Sequence, residues 1–394
     1  MLPEGWSARS LGSVLERVVK PVTPSPAALY REIGIRSHGK GIFHKSPVLG
    51  ESLGDKRVFE VVPDCLVLNI VFAWEQAVAR TTDAEVGMIA SHRFPMYRPK
   101  SGACDIDYLV CFFKSKRGKH LLELASPGGA GRNKTLGQND FAKLAFPMPS
   151  RAEQNRIANI LTTWDEAIRA VQQLLDNHNA RKKALLQKLM TGRERLRGFE
   201  NPVKSLELAS ISNLIKKRIE PSRADSQLRC IELEHVESKT GRILGSTTTD
   251  YQSSLKATFK PGDVLFGKLR PYLKKCWLAD SSGYCSTEFW VLRAIGRRCL
   301  PEFLHLICQT DRFLSACNVT SGSKMPRADW QIVSSTPFHV PTIEEQRSII
   351  EIISKDSSAI DRLLVTRAQL VIERRGLAQQ LLAGKRRVKL DPAT

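Results

Sequence analysis

The sequence predicts an α+β chain: two globular mixed α/β modules, each followed by a long helix. The two helices are expected to pack as an antiparallel coiled coil with pseudo-twofold symmetry. Three observations predict this. The chain has 394 residues, too many for one ordinary core. One sentence is written twice, as "FPMPSRAEQNRIANIL" from Phe146 and "FHVPTIEEQRSIIEII" from Phe338. Each copy then continues in apolar steps of three and four, the signature of a helix with a seam.

The partition that follows is 1–145 for the first module and 146–200 for the first helix. The second module takes 201–337, and the second helix with a basic tail takes 338–394. Both modules carry short apolar runs of strand character, "CLVLNIVFAW" and "YLVCFF" in the first, "DVLFGKL" and "EFWVLRA" in the second. Weak echoes link them. "SLGSVLERV" resembles "ELASISNLI", "FEVVPDCLVLN" resembles "FKPGDVLFGKL", and "SHRFPMYRP" resembles "STEFWVLRA".

The helical stretches keep register far better. Residues 146–192 lie on 338–384 without a gap, so Pro149 meets Pro341, Gln154 meets Gln346 and Gly192 meets Gly384. Ser150 and Thr342 stand three residues before Glu153 and Glu345, the spacing of a capping box. The first seam runs Ile157, Leu161, Trp164, Ile168, Val171, Leu175, His178, Leu185 and Leu189, with Lys182 interrupting. The second runs Ile349, Ile353, Ile360, Leu363, Leu370, Leu377 and Leu381, broken at Asp356, Arg367 and Arg374. About 40 residues at 1.5 Å each gives a helix about 60 Å long. Such long matching seams are most simply satisfied by each other. Two separate amphipathic helices, each covering its own module, are the plainer alternative.

Sixty Lys and Arg against 40 Asp and Glu leave a net charge of +20. Solubility needs far less, so a polyanion is the expected partner, and nucleic acid foremost. Nine dispersed cysteines form no C-x-x-C pair and no zinc-spaced cluster, which suits reduced core residues. The start lacks the pattern of a signal peptide, and no apolar run is long enough to span a bilayer. A cytoplasmic protein without metal or membrane contact is expected.

Catalytic motifs fail on inspection. "GGAGRNKT" has Asn133 where a Walker A loop needs Gly before the Lys. No adenosylmethionine loop or methyltransferase motif occurs. Pro63-Asp64 lacks the acidic-x-Lys partner of a nuclease, and Ser91-His92 has no triad context. Binding chemistry is plentiful instead. "GKLRPYLKKCW" offers Lys268, Arg270 and Lys274 with Tyr272, and on a strand Lys268, Arg270 and Tyr272 would share a side. "TSGSKMPRADW" bears Lys324 and Arg327, and its counterpart "SPGGAGRNKTLGQND" bears Arg132, Asn133 and Lys134. Arg93 lies in "SHRFPMYRP" of the first module. Such residues can read base edges or neutralise phosphates, and as solvated loops they could do neither.

The doubled "P-[ST]-x-x-EQ-x-x-I" opening and the run "LRPYLKKCWLA…CSTEFWVLR" resemble the DNA-specificity (S) subunits of type I restriction–modification systems. The likeness covers nearly the whole chain, although "NIVFAWEQAVA" and "ASHRFPMYRP" in the first module depart from the pattern. The resemblance implies that the modules are target recognition domains, each reading half of a split double-stranded DNA site. It implies that the helices set the unread spacer. Two methylation (M) subunits, and restriction (R) subunits in the full complex, would be partners. Adenosylmethionine, ATP and Mg would sit on those subunits and none in this chain. A non-specific coiled-coil DNA architectural protein, or a nuclease or methyltransferase with unusual motifs, are the rival readings.

Overall fold

The computed structural model describes residues 3–128, 134–250, 252–319 and 325–390. The chain divides into two compact units, Met1–Gln172 with Thr366–Thr394, and Gln173–Val365. Each unit thus takes one module, the first half of that module's own long helix and the second half of the other. The long helices themselves are Arg151–Met190 and Ile343–Leu382.

The first unit opens with strand Ser7–Ser10, which pairs antiparallel with Ala145–Met148 just before the long helix. Its main sheet has the order Val78–Arg80, Leu66–Leu68, Met96–Pro99, Leu15–Val18. A smaller sheet orders Ile89–Ser91, Val58–Glu60 and Pro21–Val22. Helices Ile106–Phe113 and Lys116–Leu124 cover the core. The second unit repeats the plan. Lys204–Glu207 pairs with Pro337–Val340 before its helix. Its main sheet runs Ser212–Leu214, Phe289–Ala294, Val264–Gly267, Cys276–Leu278, and helices Pro301–Ile307 and Asp311–Cys317 follow. The three sequence echoes fall on these matching elements. Leu11 and Leu208 even donate to matching carbonyls, Leu144 and Thr336.

Two runs depart from their expected form. In "CLVLNIVFAW" only Leu66–Leu68 is strand, and a turn and the 3₁₀ segment Ala73–Glu75 follow. "YLVCFF" forms most of the helix Ile106–Phe113, where a strand was expected. Asp105 caps that helix by accepting from Tyr108 N–H at 2.8 Å. Every apolar residue of the helix is buried, so it shows no polar face and its pattern mimics a buried strand.

Within each unit the helix halves run antiparallel. In the first, Ile157, Ala158 and Leu161 share a core with Ala378, Leu381 and Leu382, while Asp165 accepts from Arg374 at 2.9 Å. In the second, Leu185, Leu189 and Met190 pack with Ile349 and Ile353. Ile157, Leu161, Leu175, Ile349, Ile353 and Leu381 are buried. Trp164, Ile168, Val171, Ile360, Leu363, Leu370 and Leu377 are half-buried.

Two of the three residues expected to break the second seam lie in it. Asp356 is 3% exposed; His178 Nδ1 lies 2.8 Å and Arg181 Nε 3.3 Å from its carboxylate oxygens. Arg374 is held by Asp165, and only Arg367 stays exposed. Lys182 also sits in the seam. Burial pushes its ammonium below the usual lysine range, against the pull of Asp361 and Asp356.

The doubled motif has a structural job in each unit. Ser150 and Thr342 accept from Glu153 and Glu345 N–H at 3.3 and 3.4 Å. The return half of the expected capping box is replaced. The buried Glu153 carboxylate takes Arg387 and the Trp6 indole N–H, and Glu345 takes Arg195 through both oxygens. Gln154 and Gln346 are fully buried. They accept from Asp105 and Leu300 N–H and donate to Pro149 and Pro341 carbonyls. Each Gln ties the long helix to the loop that starts the module's own helix pair. All nine cysteines are free and buried, and burial pushes the Cys104 thiol to about 12.

Candidate nucleic-acid interface

In the second unit the main sheet strand Val264–Gly267 ends and the chain turns at once. Lys268 N–H donates to Glu288 O, Ala328 N–H donates to Lys268 O, and Arg270 N–H donates to Pro326 O, all at 2.8–2.9 Å. A bridge joins Leu269 to Arg327. The two basic segments singled out in the sequence are therefore stitched together by backbone bonds.

The side chains do not alternate along a strand as expected. Pro271–Leu273 is a short 3₁₀ turn with a buried Pro271, flanked by Arg270 (φ 53°) and Lys274 (φ 54°). Left-handed backbone at two non-glycine residues costs about 1 kcal/mol or more each and persists only where the surroundings hold it. The result presents Arg270, Tyr272 and Lys274 outward, with Tyr272 51% exposed. Among the described residues, Asp311 at 4.0 Å is the one carboxylate at ion-pairing distance from Lys274. Lys275, by contrast, spends its ammonium on the Leu233 carbonyl at 2.6 Å.

Arg327 is already engaged. Its guanidinium donates to Glu288 at 3.1 and 3.3 Å, which raises its pKa further. A phosphate or base would have to displace that carboxylate. Lys324 lies outside the described residues.

In the first unit two of these backbone bonds recur, while Phe72 N–H, at the place of Arg270, turns back to Asn69 O. Ile70 N–H donates to Arg93 O, and Leu136 N–H donates to Ile70 O. Ile70, Arg93 and Leu136 thus occupy the places of Lys268, Glu288 and Ala328. The side chains differ throughout. Lys134 stands over the Trp74 ring at 5.3 Å, and the Trp74 indole donates to Val71 O. Arg93 and Phe72 are exposed. Arg132 and Asn133 lie outside the described residues. Sequence reasoning missed Trp74 and Glu288, the two residues that hold Lys134 and Arg327. Only the bonds to positions far along the chain reveal them.

Chemically, each unit offers a turn at a sheet end with exposed cationic and aromatic groups beside a second basic segment. Such a surface can contact phosphates by charge, and base edges by hydrogen bonds or stacking. Among the described residues, no cluster of three or more His, Cys, Asp or Glu could hold a metal ion. No described helix is long and apolar enough to cross a membrane.

The fold and these turns define a class, a two-module protein with a strongly positive charge balance and an exposed basic turn in each module. Comparison with known proteins narrows it. Residues 67–177 match the family model of the type I restriction modification DNA specificity domain. A stretch of 119 residues is 31% identical to the specificity subunit of the type I restriction enzyme EcoDI of Escherichia coli, covering 29% of this chain and 26% of that protein. The match thus spans about a quarter of that relative's length. The MjaVIII specificity subunit of Methanocaldococcus jannaschii is 21% identical over 309 residues, 72% of this chain and 71% of that protein. The crystal structure of a type I restriction–modification S subunit from M. genitalium shares the fold. Its TM-score is 0.63 at 13% identity, with 97% of both chains covered. Over residues 67–177 this chain is similar to the DNA specificity domain of type I restriction–modification systems, and it shares the fold of an S subunit along nearly its whole length.

Proposed function

We propose that the chain is the non-catalytic, sequence-reading subunit of a type I restriction–modification complex in the cytoplasm. Modules 1–145 and 201–337 each read one half of a bipartite double-stranded DNA site. The paired helices fix the unread spacer and dock two methylation subunits, to which restriction subunits add. Adenosylmethionine, ATP and Mg belong to those partners.

One observation carries the reading. Backbone bonds at two matching positions tie an exposed turn to a second basic segment in both units, while the side chains on those turns differ. That is what two readers of unlike half-sites require. Joining them through helices makes the second binding event intramolecular, so two weak contacts act as one strong one.

Methylome sequencing tests it. Cells carrying this chain with its methylation partner should show one split motif, lost on deletion of this gene alone. A methylation pattern that survives the deletion, or methyl transfer by the isolated chain, overturns the proposal.

A further inference from the structure

The two units share a second feature that the reading of DNA does not use. In the first, a cavity of about 460 Å³ lies between the start of helix Lys116–Leu124 and the last turns of Ile343–Leu382. In the second, a cavity of about 350 Å³ lies between the start of Asp311–Cys317 and the last turns of Arg151–Met190.

Their walls correspond. Arg375 and Lys385 in the first stand where the duplication puts Lys183 and Arg193 in the second. Gln379 matches Gln187 in the same way. Ser115 and Thr310 cap the two short helices by accepting from Gly118 and Phe313 N–H. Arg117 and Arg312 follow two residues after each cap. The fold therefore builds this cavity twice.

The charge is not shared equally. Seven Lys and Arg side chains line the first cavity, and no Asp or Glu does. The second has three, with Asp311 among them. Two of the seven are partly spent, Arg374 on Asp165 and Lys119 on Glu123. Lys114, Lys116, Arg117, Arg375 and Lys385 meet no carboxylate at ion-pairing distance among the described residues.

Like charges gathered within a Debye length of about 8–10 Å repel one another and focus a positive potential into the concavity. Its volume is that of a small-ligand site, roughly 300–1,000 Å³. A single carboxylate would neutralise one charge in five, whereas a phosphate chain spreads several negative charges over such a wall.

We propose that the cavity of the first unit binds a polyphosphate group. The chemistry is that of a nucleotide's phosphate chain or of a nucleic-acid strand's consecutive phosphates. Its partner in the second unit is a weaker version of the same site.

The test uses the full chain and inorganic tripolyphosphate, followed by calorimetry at fixed ionic strength. Binding should weaken at least tenfold in the double variant K116Q/R117Q and in K385Q on the opposite wall. K183Q, in the second unit, should change it less than twofold. K385Q keeps the test open should the double variant not fold. ATP that competes while a short duplex does not would assign the site to free nucleotide. Competition by the duplex alone would assign it to a strand. Tripolyphosphate that fails to bind at millimolar concentration, or that binds all these variants equally, overturns the proposal.

Discussion

In the unit of Met1–Gln172 and Thr366–Thr394, buried Gln154 ties helix to loop and Glu153 holds Arg387. In the unit of Gln173–Val365, Gln346 and the Glu345–Arg195 pair do the same. The order of the main sheet, the cap and even two of the bonds at the candidate reading turn coincide. What differs is the side chains those bonds carry: Ile70, Arg93 and Lys134 on Trp74 in one, Lys268, Glu288 and Arg327 in the other. Backbone bonds are indifferent to side-chain identity, so a fixed frame can support surfaces of different chemistry. The anchors have no such freedom. A buried Gln with two partners to satisfy, or three in Gln346, is replaced by an apolar residue only at a cost in stability.

The sharpest way to break this comparison is to exchange residues 1–145 for those of a relative. One half-site of the methylated motif should change completely, with the other half and the spacer kept. A change in both halves would show that the frame itself takes part in reading.

Next in size are the anchors. Gln346→Leu orphans Leu300 N–H and the carbonyls of Arg298 and Pro341. It should cost about 3 kcal/mol, since each unsatisfied buried group costs about 1–3 kcal/mol before water reaches it. Gln154→Leu removes one bond fewer, to Asp105 N–H and Pro149 O, and should cost about 2 kcal/mol. Urea unfolding with hydrogen exchange mapped to each unit separates the two. Equal costs would mean the third bond contributes nothing.

The ion pairs should rank likewise. Arg195→Met leaves Glu345 buried and without a charged partner, while Arg387→Met still leaves Glu153 the Trp6 indole at 3.1 Å. The first should lower Tm by several degrees and the second by less. A reversed order would show that the indole bond is worth nothing.

The smallest effect is acid dependence in the first unit. Burial alone would raise the Glu85 carboxyl, but His44 and the Thr82 N–H and hydroxyl hold it below the usual range. A folded-state pKa below the unfolded one gives stability above about pH 4.3, lost as the pH falls through the folded value. Glu85→Gln should flatten that loss in the first unit and leave hydrogen exchange in the second unaltered.

The duplication, the two seams and the positive balance were all legible along the chain. They rest on local period and composition, which a linear pattern carries. Strand echoes as weak as "SHRFPMYRP" against "STEFWVLRA" were enough to find matching sheet positions, because both place a short buried apolar run, Met96–Tyr97 and Phe289–Leu292, at the same point of the module. "YLVCFF" was misread since a helix buried on every side loses its period.

Tertiary structure alone decided what the doubled Glu-Gln pair does. Its partners, Arg387, Arg195, Asp105 and Leu300, lie dozens to hundreds of residues away. It likewise turned Asp356 and Arg374 from flaws in a seam into partnered residues within it, and showed Arg327 held by Glu288. A sequence displays which groups carry charge and at what period. Whether a charge is spent or free depends on what folding brings within a few ångströms of it, and no linear spacing encodes that.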